Sequence, residues 1–358
     1  MRRYALTLLL STLAATSSAQ DYHAEKVIEG LSIPWAIEFV SATEMVINEK
    51  NGTISLLNIE TNQRQLLYSI DDVYQSGQGG LLDIAHLSNP DGSHTLYFSY
   101  SKSTPDGVTL AVAQAELRGN RLDEFNDIFV ANAYSNTSRH FGSRIEVAKQ
   151  YLYITIGDRG ERENGQDLQT HAGTIVRLNL DGTIPDGNPF VAKPGLDEIW
   201  SYGHRNPQGL FYDHKEQQLW SIEHGPRGGD EINLIERGYN YGWPKASHGK
   251  EYWGPLDVGD AESLPGMEDP LLVYVPSIAP SNMILYRGEV YPELEGKLLA
   301  GALKLAHINV VSITDTGLVE SQRLLEDLGE RIRDIAQSPD GEIYFSADSG
   351  TIYRLKID

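Results

Sequence analysis

The chain contains no cysteine. That excludes disulfide scaffolds, thiolate-ligated zinc, iron–sulfur clusters and cysteine nucleophiles. No stretch approaches the roughly 18 consecutive apolar residues of a membrane helix, so no membrane span is expected. Basic residues are scarce: 29 Lys+Arg face 50 Asp+Glu, a formal charge of −21 over 358 residues. Nucleic acid is therefore not expected as a partner, because phosphate binding needs a basic surface. Long amphipathic helical patterns are absent, as are HExxH, GxSxG, Walker and dinucleotide GxGxxG patterns in a fitting context. What is there is an ordinary globular composition, 40% hydrophobic and 22% charged,. Any redox or metal chemistry must use His, carboxylates, Arg, Lys or a bound organic cofactor.

Residues 1–19 read as a secretory signal peptide. Arg2 and Arg3 form a positive start, Ala5 to Ala15 is an apolar run too short to cross a bilayer, and Ser17-Ser18-Ala19 offers small residues for cleavage,. The expected product is periplasmic or secreted, residues 20–358 forming a single catalytic domain. Losing two arginines and no acid, it would carry −23. Without disulfides it has to rely on a large buried core.

The remaining sequence repeats a pattern of short strand, turn, short strand, loop, strand. The six runs begin at Trp35, Leu81, Arg144, Gly209, Met283 and Arg333. Their middle strands, such as Tyr151–Ile156 and Gln218–Glu223, are rich in aromatic and branched residues, and Asp-Gly and Asn-Gly pairs punctuate them,. Units of about 56 residues that cannot bury a face alone and stack on neighbours predict an all-β, six-bladed β-propeller of four-stranded antiparallel blades. The segment 22–29 is expected to supply the outer strand of the last blade and close the ring. A pair of packed β-sheets is the alternative. In a propeller, ligands bind at the channel mouth, on loops from different repeats.

Those loops hold the chemically dense segments: Gly77-Gln78-Gly79-Gly80, Arg139-His140-Phe141-Gly142, Gly157-Asp158-Arg159-Gly160, the GHRNPQG run containing Arg205 and Asn206, and the EHGPRGGDEIN run from Glu223 to Asn233. His140 with Asp158 could make an oriented general base, where a lone loop His is otherwise a surface residue and such an Asp a turn former. Arg205, Lys304, Arg331 and Arg333 describe a polyanion site if they converge. Glu231 with nearby carbonyls is a hard-oxygen set suited to Ca²⁺.

With these motifs in view, the chain resembles the soluble aldose sugar dehydrogenases dependent on pyrroloquinoline quinone (PQQ), within the glucose/sorbosone dehydrogenase family. GHRNPQGL, EHGPRGGDEIN and RIRD are long and chemically unusual, and the likeness runs from about Ile33 to the C-terminus. The family's fold agrees with the repeat count, and the chain lacks room for the long insertions of the dimeric glucose dehydrogenases, which implies a monomer. Three positions depart from the expected pattern. Ser143 and Asn282 stand where glycine is expected, and Arg159 where some relatives carry Gln.

Carried over residue by residue, the resemblance implies that His140 takes the proton of the anomeric hydroxyl while hydride passes to quinone C5. Asp158 would orient that imidazole, and Arg205 would stabilise negative charge on the quinone oxygen. Gln78 and Asn206 would hydrogen-bond the cofactor, Lys304, Arg331 and Arg333 would pair with its carboxylates and ring oxygens, and Tyr252 would flank cofactor or substrate. The carbonyls of Gly225 and Pro226 would ligate a Ca²⁺ at the cofactor. Glu231 and the carbonyl of Tyr241 would hold a second, structural Ca²⁺. The implied reaction oxidises an aldose to its lactone and hands electrons to a separate acceptor (quinone, cytochrome or dye). Two other readings predict different features: a Ca²⁺-dependent lactonase-type hydrolase does not need four cations, and a non-catalytic glycan- or protein-binding propeller does not need His140 and Arg205.

Overall fold

The computed structural model describes residues 21–357; the segment 1–19, read above as a signal peptide, lies outside them. Six four-stranded antiparallel sheets follow one another around a ring. The first holds β2 (Pro34–Phe39), β3 (Glu44–Glu49), β4 (Thr53–Asn58) and β5 (Gln63–Ser69). The second holds β6 (Leu81–Ser88), β7 (His94–Thr104), β8 (Gly107–Arg118) and β9 (Arg121–Val130). The third holds β10 (Ile145–Ala148), β11 (Tyr151–Ile156), β12 (Thr174–Asn179) and β13 (Ile199–Tyr202). The fourth holds β14 (Pro207–Asp213), β15 (Gln218–Glu223), β16 (Asp230–Ile235) and β17 (Leu272–Tyr274). The fifth holds β18 (Pro280–Leu285), β19 (Lys297–Ala302), β20 (Ile308–Thr314) and β21 (Gly317–Leu324). The last blade joins both ends of the chain. β1 (Tyr22–Ile28) pairs antiparallel with β24 (Thr351–Ile357), outside β23 (Ile343–Ala347) and β22 (Ile332–Gln337). This is the predicted ring closure.

Burial explains the strand chemistry. The second strand of each blade lies between neighbouring blades, and β23 is buried at every residue. Outer strands face solvent, and β5 (QRQLLYS) is mostly exposed. Apolar side chains from adjacent blades merge into shared clusters, such as Leu299, Val310, Ile335 and Phe345 between the fifth and sixth.

Two features prepare the channel mouth. The innermost strands of five blades carry a register shift near their start, at Pro34/Ala36, Leu81/Ile84, Pro207/Gly209, Pro280/Met283 and Ile332/Asp334. Such bulges bend the strand and re-aim its side chains. Below them, the buried guanidinium of Arg144 bonds Asp83 at 2.7 Å, Asp334 at 3.1 Å and the Gln208 carbonyl at 2.6 Å, and lies 4.3 Å from the Trp35 ring centroid. Asp83 and Asp334 each accept a backbone N–H from a neighbouring blade, Ile145 and Ile37. Burial raises both carboxyls against the pull of Arg144. One cation thus ties five blades together at the axis, with its hydrogen bonds satisfied, as a buried ion cluster requires.

Candidate functional site

First strands begin at the channel mouth and second strands end there, so the loops before β6, β10, β14, β18 and β22 and those after β3, β11, β15, β19 and β23 meet at one end. Every candidate but Glu231, Tyr241 and Tyr252 lies in these loops or at the adjoining strand ends. The three exceptions sit in the segments following β15 and reach the same end.

His140 precedes β10 and Asp158 follows β11. The imidazole Nδ1 lies 2.6 Å from Asp158 Oδ1, and the backbone N–H of Gly160 donates to the same oxygen at 2.7 Å. The indole N–H of Trp243 donates to Oδ2 at 2.8 Å. Asp158 is 1% exposed. Burial pushes the His140 imidazole below its ordinary value; the Asp158 hydrogen bond opposes this, and the Arg205 charge adds to it. Burial alone would raise Asp158, but hydrogen bonds from His140 and Gly160 and the charges of His140 and Arg205 hold it below the usual carboxylate range. The backbone of His140 has φ +54°, a left-handed value that costs a branched or bulky residue energy,. Its N–H donates to Gln78 Oε1 at 2.6 Å. Beneath it, a Cβ on Gly157 would stand 2.3 Å from the His140 carbonyl oxygen, so only glycine fits,.

Arg205 and Asn206 open β14 on the other side. Glu223 Oε2 accepts both their backbone N–H groups, at 2.7 and 3.3 Å. The Arg205 guanidinium donates to the His224 carbonyl at 3.1 Å and approaches the Tyr252 hydroxyl at 3.5 Å. Its Nε, and Nδ2 of Asn206, are buried without a partner. Two unpaired donors in one wall are costly unless an acceptor binds there.

A cavity of ≈ 300 Å³ occupies the mouth, lined by Gln78, Phe141, His224, Arg331 and Arg333 together with Trp35, Lys50 and Asp348. Asp348 bonds Nε of both Arg331 (2.9 Å) and Arg333 (2.8 Å). Burial would raise its carboxyl, and the two guanidiniums hold it below the ordinary value instead. Burial and the Arg333 charge lower the Lys50 ammonium, which donates to the Gly77 carbonyl at 2.6 Å. Of the four cations named from the sequence, Arg331 and Arg333 share this cavity. Arg205 adjoins them through His224. Lys304 is exposed and does not line this cavity; its backbone N–H donates to the Ile278 carbonyl at 3.1 Å. A larger cavity of ≈ 460 Å³ lies toward the other end of the channel, but its lining includes Glu38, Asp83, Glu146 and Asp334 and no Lys or Arg. The cations line the mouth cavity and not this one.

A third, ion-sized cavity of ≈ 10 Å³ is lined by Gly225, Pro226, Glu231 and Tyr241 together, with Glu223 and Arg205. Glu223 and Glu231 face each other across β15 and β16. Their enclosure, with Glu223 as the nearest like charge, pushes the Glu231 carboxyl well above its ordinary value. Directly opposed carboxylates destabilise a sheet unless a cation lies between them. The Gly225 turn is fixed by its N–H to Asp230 Oδ1 at 2.9 Å, and a Cβ there would meet the Gly229 carbonyl oxygen at 2.0 Å.

Sequence reasoning missed Lys50, Asp348, Trp243, Glu223 and His224. Burial depresses the His224 imidazole to about 4, and it lines both the mouth cavity and the ion-sized one. Of the three departures from the expected pattern, Ser143 has φ +92°, a conformation natural to the glycine expected there,. Asn282 bonds the Ile335 carbonyl at 3.2 Å, away from the mouth.

The structure is a six-bladed propeller whose channel mouth holds an imidazole oriented by a carboxylate and a cavity lined by Lys50, Arg331 and Arg333. The family described as Glucose / Sorbosone dehydrogenase matches residues 31–354. The chain belongs to that family. It is 35% identical to the aldose sugar dehydrogenase YliI of Escherichia coli, over 99% of this chain and 97% of that one. The apo-form crystal structure of the soluble aldose sugar dehydrogenase from Escherichia coli superposes with a TM-score of 0.88, at 36% identity, over 94% of this chain and 99% of that chain. The PQQ-bound aldose sugar dehydrogenase of Streptomyces coelicolor superposes with a TM-score of 0.77, at 26% identity, over 95% of this chain and 99% of that chain. Among the described residues no helix is long and apolar enough to cross a membrane.

Proposed function

We propose that the protein is a periplasmic dehydrogenase that oxidises the anomeric hydroxyl of aldose sugars to the lactone, with PQQ and Ca²⁺ as cofactors. The observation that carries this reading is the His140–Asp158 pair, set beside a wall with two unpaired buried donors, Arg205 Nε and Asn206 Nδ2. Likeness to the PQQ-bound Streptomyces enzyme supports the choice of cofactor.

The residues present fit the group. Arg331, Arg333 and Lys50 face the cavity and suit an organic polycarboxylate, with Asp348 holding the two arginines in place,. Arg205 and Asn206 offer free donors to ring oxygens, Gln78 shares the cavity, and Lys304 stands exposed as a further cation. Glu231, the Tyr241 carbonyl and the opposed Glu223 supply a hard-oxygen shell for one Ca²⁺,. The Gly225 and Pro226 carbonyls, next in chain to His224, would serve the ion at the cofactor. When bound, PQQ supplies the two-electron acceptor and Ca²⁺ a Lewis acid.

The chain's own groups handle the proton. Asp158 fixes hydrogen on Nδ1 of His140 and leaves the Nε2 lone pair free. The depressed imidazole stays neutral at pH 7 and can accept the anomeric proton,. Asp158, kept ionised, stabilises the imidazolium that forms. Tyr252, 64% exposed beside Arg205, flanks the substrate's approach.

Apoprotein reconstituted with PQQ and Ca²⁺ should reduce an electron-accepting dye when aldoses are added. Stoichiometric PQQ binding with no sugar-dependent reduction, across a panel of aldoses, would refute the reading.

A further inference from the structure

Arg159 is the most deeply buried cation next to the proposed base, and that base reading gives it no task. Its side chain is fully enclosed, at 0% exposure, and it forms no ion pair among the described residues. A guanidinium in that position is expensive unless its donors are used. Here Nε is left without a partner, and the two terminal nitrogens go mainly to carbonyls of the segment that carries His140, with the Val108 carbonyl 3.5 Å from Nη2. Nη1 donates to the Arg139 carbonyl, and Nη2 donates to the Thr137 carbonyl at 3.2 Å. The guanidinium carbon lies 3.6 Å from the ring centroid of Phe141, the residue after His140. In return, the Arg159 carbonyl accepts the Thr137 hydroxyl at 2.6 Å.

The Arg139 carbonyl and the His140 N–H belong to one peptide group. Arg159 holds its oxygen and Gln78 holds its N–H. That plane is therefore gripped at both ends, while Phe141 is pinned by stacking. Between the two grips sits a residue with φ +54°. Left to local preference, His140 would leave the left-handed region. Asp158 precedes Arg159 directly, so one short turn delivers both the orienter of the ring and the clamp on its backbone.

We infer that Arg159 is a positioning residue: its planar fork holds His140 in the left-handed conformation that brings the imidazole onto Asp158. This rests on the reading of His140 as the base. A lysine cannot replace it, because a single ammonium on a flexible stem does not span two carbonyls and stack on a ring.

The test uses Arg159→Lys and Arg159→Gln, each reconstituted with PQQ and Ca²⁺. Both should lower kcat by about 100-fold, the cost of misplacing a reacting group by about 1 Å, while PQQ affinity stays within threefold. The imidazole should also change without cofactor. In wild-type apoprotein, NMR titration of the His140 ring should show it below its ordinary value. The groups that face it are Asp158, Arg205, Arg139 and His224. Burial is the largest influence, so a ring released from its place should titrate upward toward the ordinary imidazole value in both variants. Should Arg159→Gln fail to fold, Arg159→Lys, which keeps charge and volume, carries the test. An unshifted His140 titration with kcat unchanged, or with kcat and PQQ affinity falling together, would overturn the inference. The reading of the base fails separately, if His140→Ala retains turnover.

Discussion

The indole nitrogen of Trp243 lies 2.8 Å from Oδ2 of Asp158, the carboxylate oxygen that His140 leaves unused. A residue 85 positions away in the chain thereby fixes the acid that orients the base. Trp243→Phe keeps an aromatic ring and removes the donor. A hydrogen bond to a charged group contributes about 1.5–3 kcal/mol, so kcat should fall about tenfold or more, with PQQ affinity little changed. Steady-state kinetics on the reconstituted variant checks this.

Asp158→Asn tests the sign of the electrostatics. In the wild type, burial lowers the His140 imidazole and Asp158 partly restores it. Removing the carboxylate leaves burial unopposed. The acidic limb of the kcat–pH profile should therefore move to lower pH, while the plateau drops by at least about 100-fold. A limb that moves to higher pH would contradict the assignment.

How much of this was legible from sequence follows from where each signal lies. The inner and middle strands of all six blades, and the closure by segment 22–29, could be read because their side chains pack between blades and must be apolar or branched. The outer strands β5 and β9 could not. Their exposed residues, such as Gln63, Arg64, Gln65, Arg121 and Asp123, carry no burial pattern. At the site, His140, Asp158, Arg205 and Arg333 stood in dense motifs. Lys50 and Asp348 did not, because each is a single charge after an ordinary strand. Only the ring geometry brings them to Arg333.

Arg333→Ala removes one of the two guanidiniums held by Asp348. Losing a charge-assisted hydrogen bond should weaken PQQ binding roughly 10–100-fold, read by titration of apoprotein. Lys50→Ala should act in the same direction. Unchanged affinity in both would place the polyanion site elsewhere.

Ca²⁺ removal should act in two steps. Gly225 and Pro226 offer neutral carbonyls, so the ion at the cofactor should leave under mild chelation of apoprotein, abolishing activity with little change in Tm. An ion at Glu231, which faces Glu223, would be held by charge in a small cavity and should need harsher chelation,. Its loss should lower Tm, because a ligand bound only to the folded state stabilises it. Glu231→Gln should reproduce the loss of stability and spare the chemistry at temperatures where the variant stays folded. Activity and Tm falling together at one free Ca²⁺ concentration would contradict this division.

The most direct measurement is turnover and PQQ affinity of His140→Ala, reconstituted with PQQ and Ca²⁺ and assayed with an aldose and an electron-accepting dye. Loss of a positioned base should lower kcat by about 10²–10⁴-fold, while the PQQ dissociation constant stays within threefold of wild type. Turnover within threefold of wild type would show that another group takes the anomeric proton.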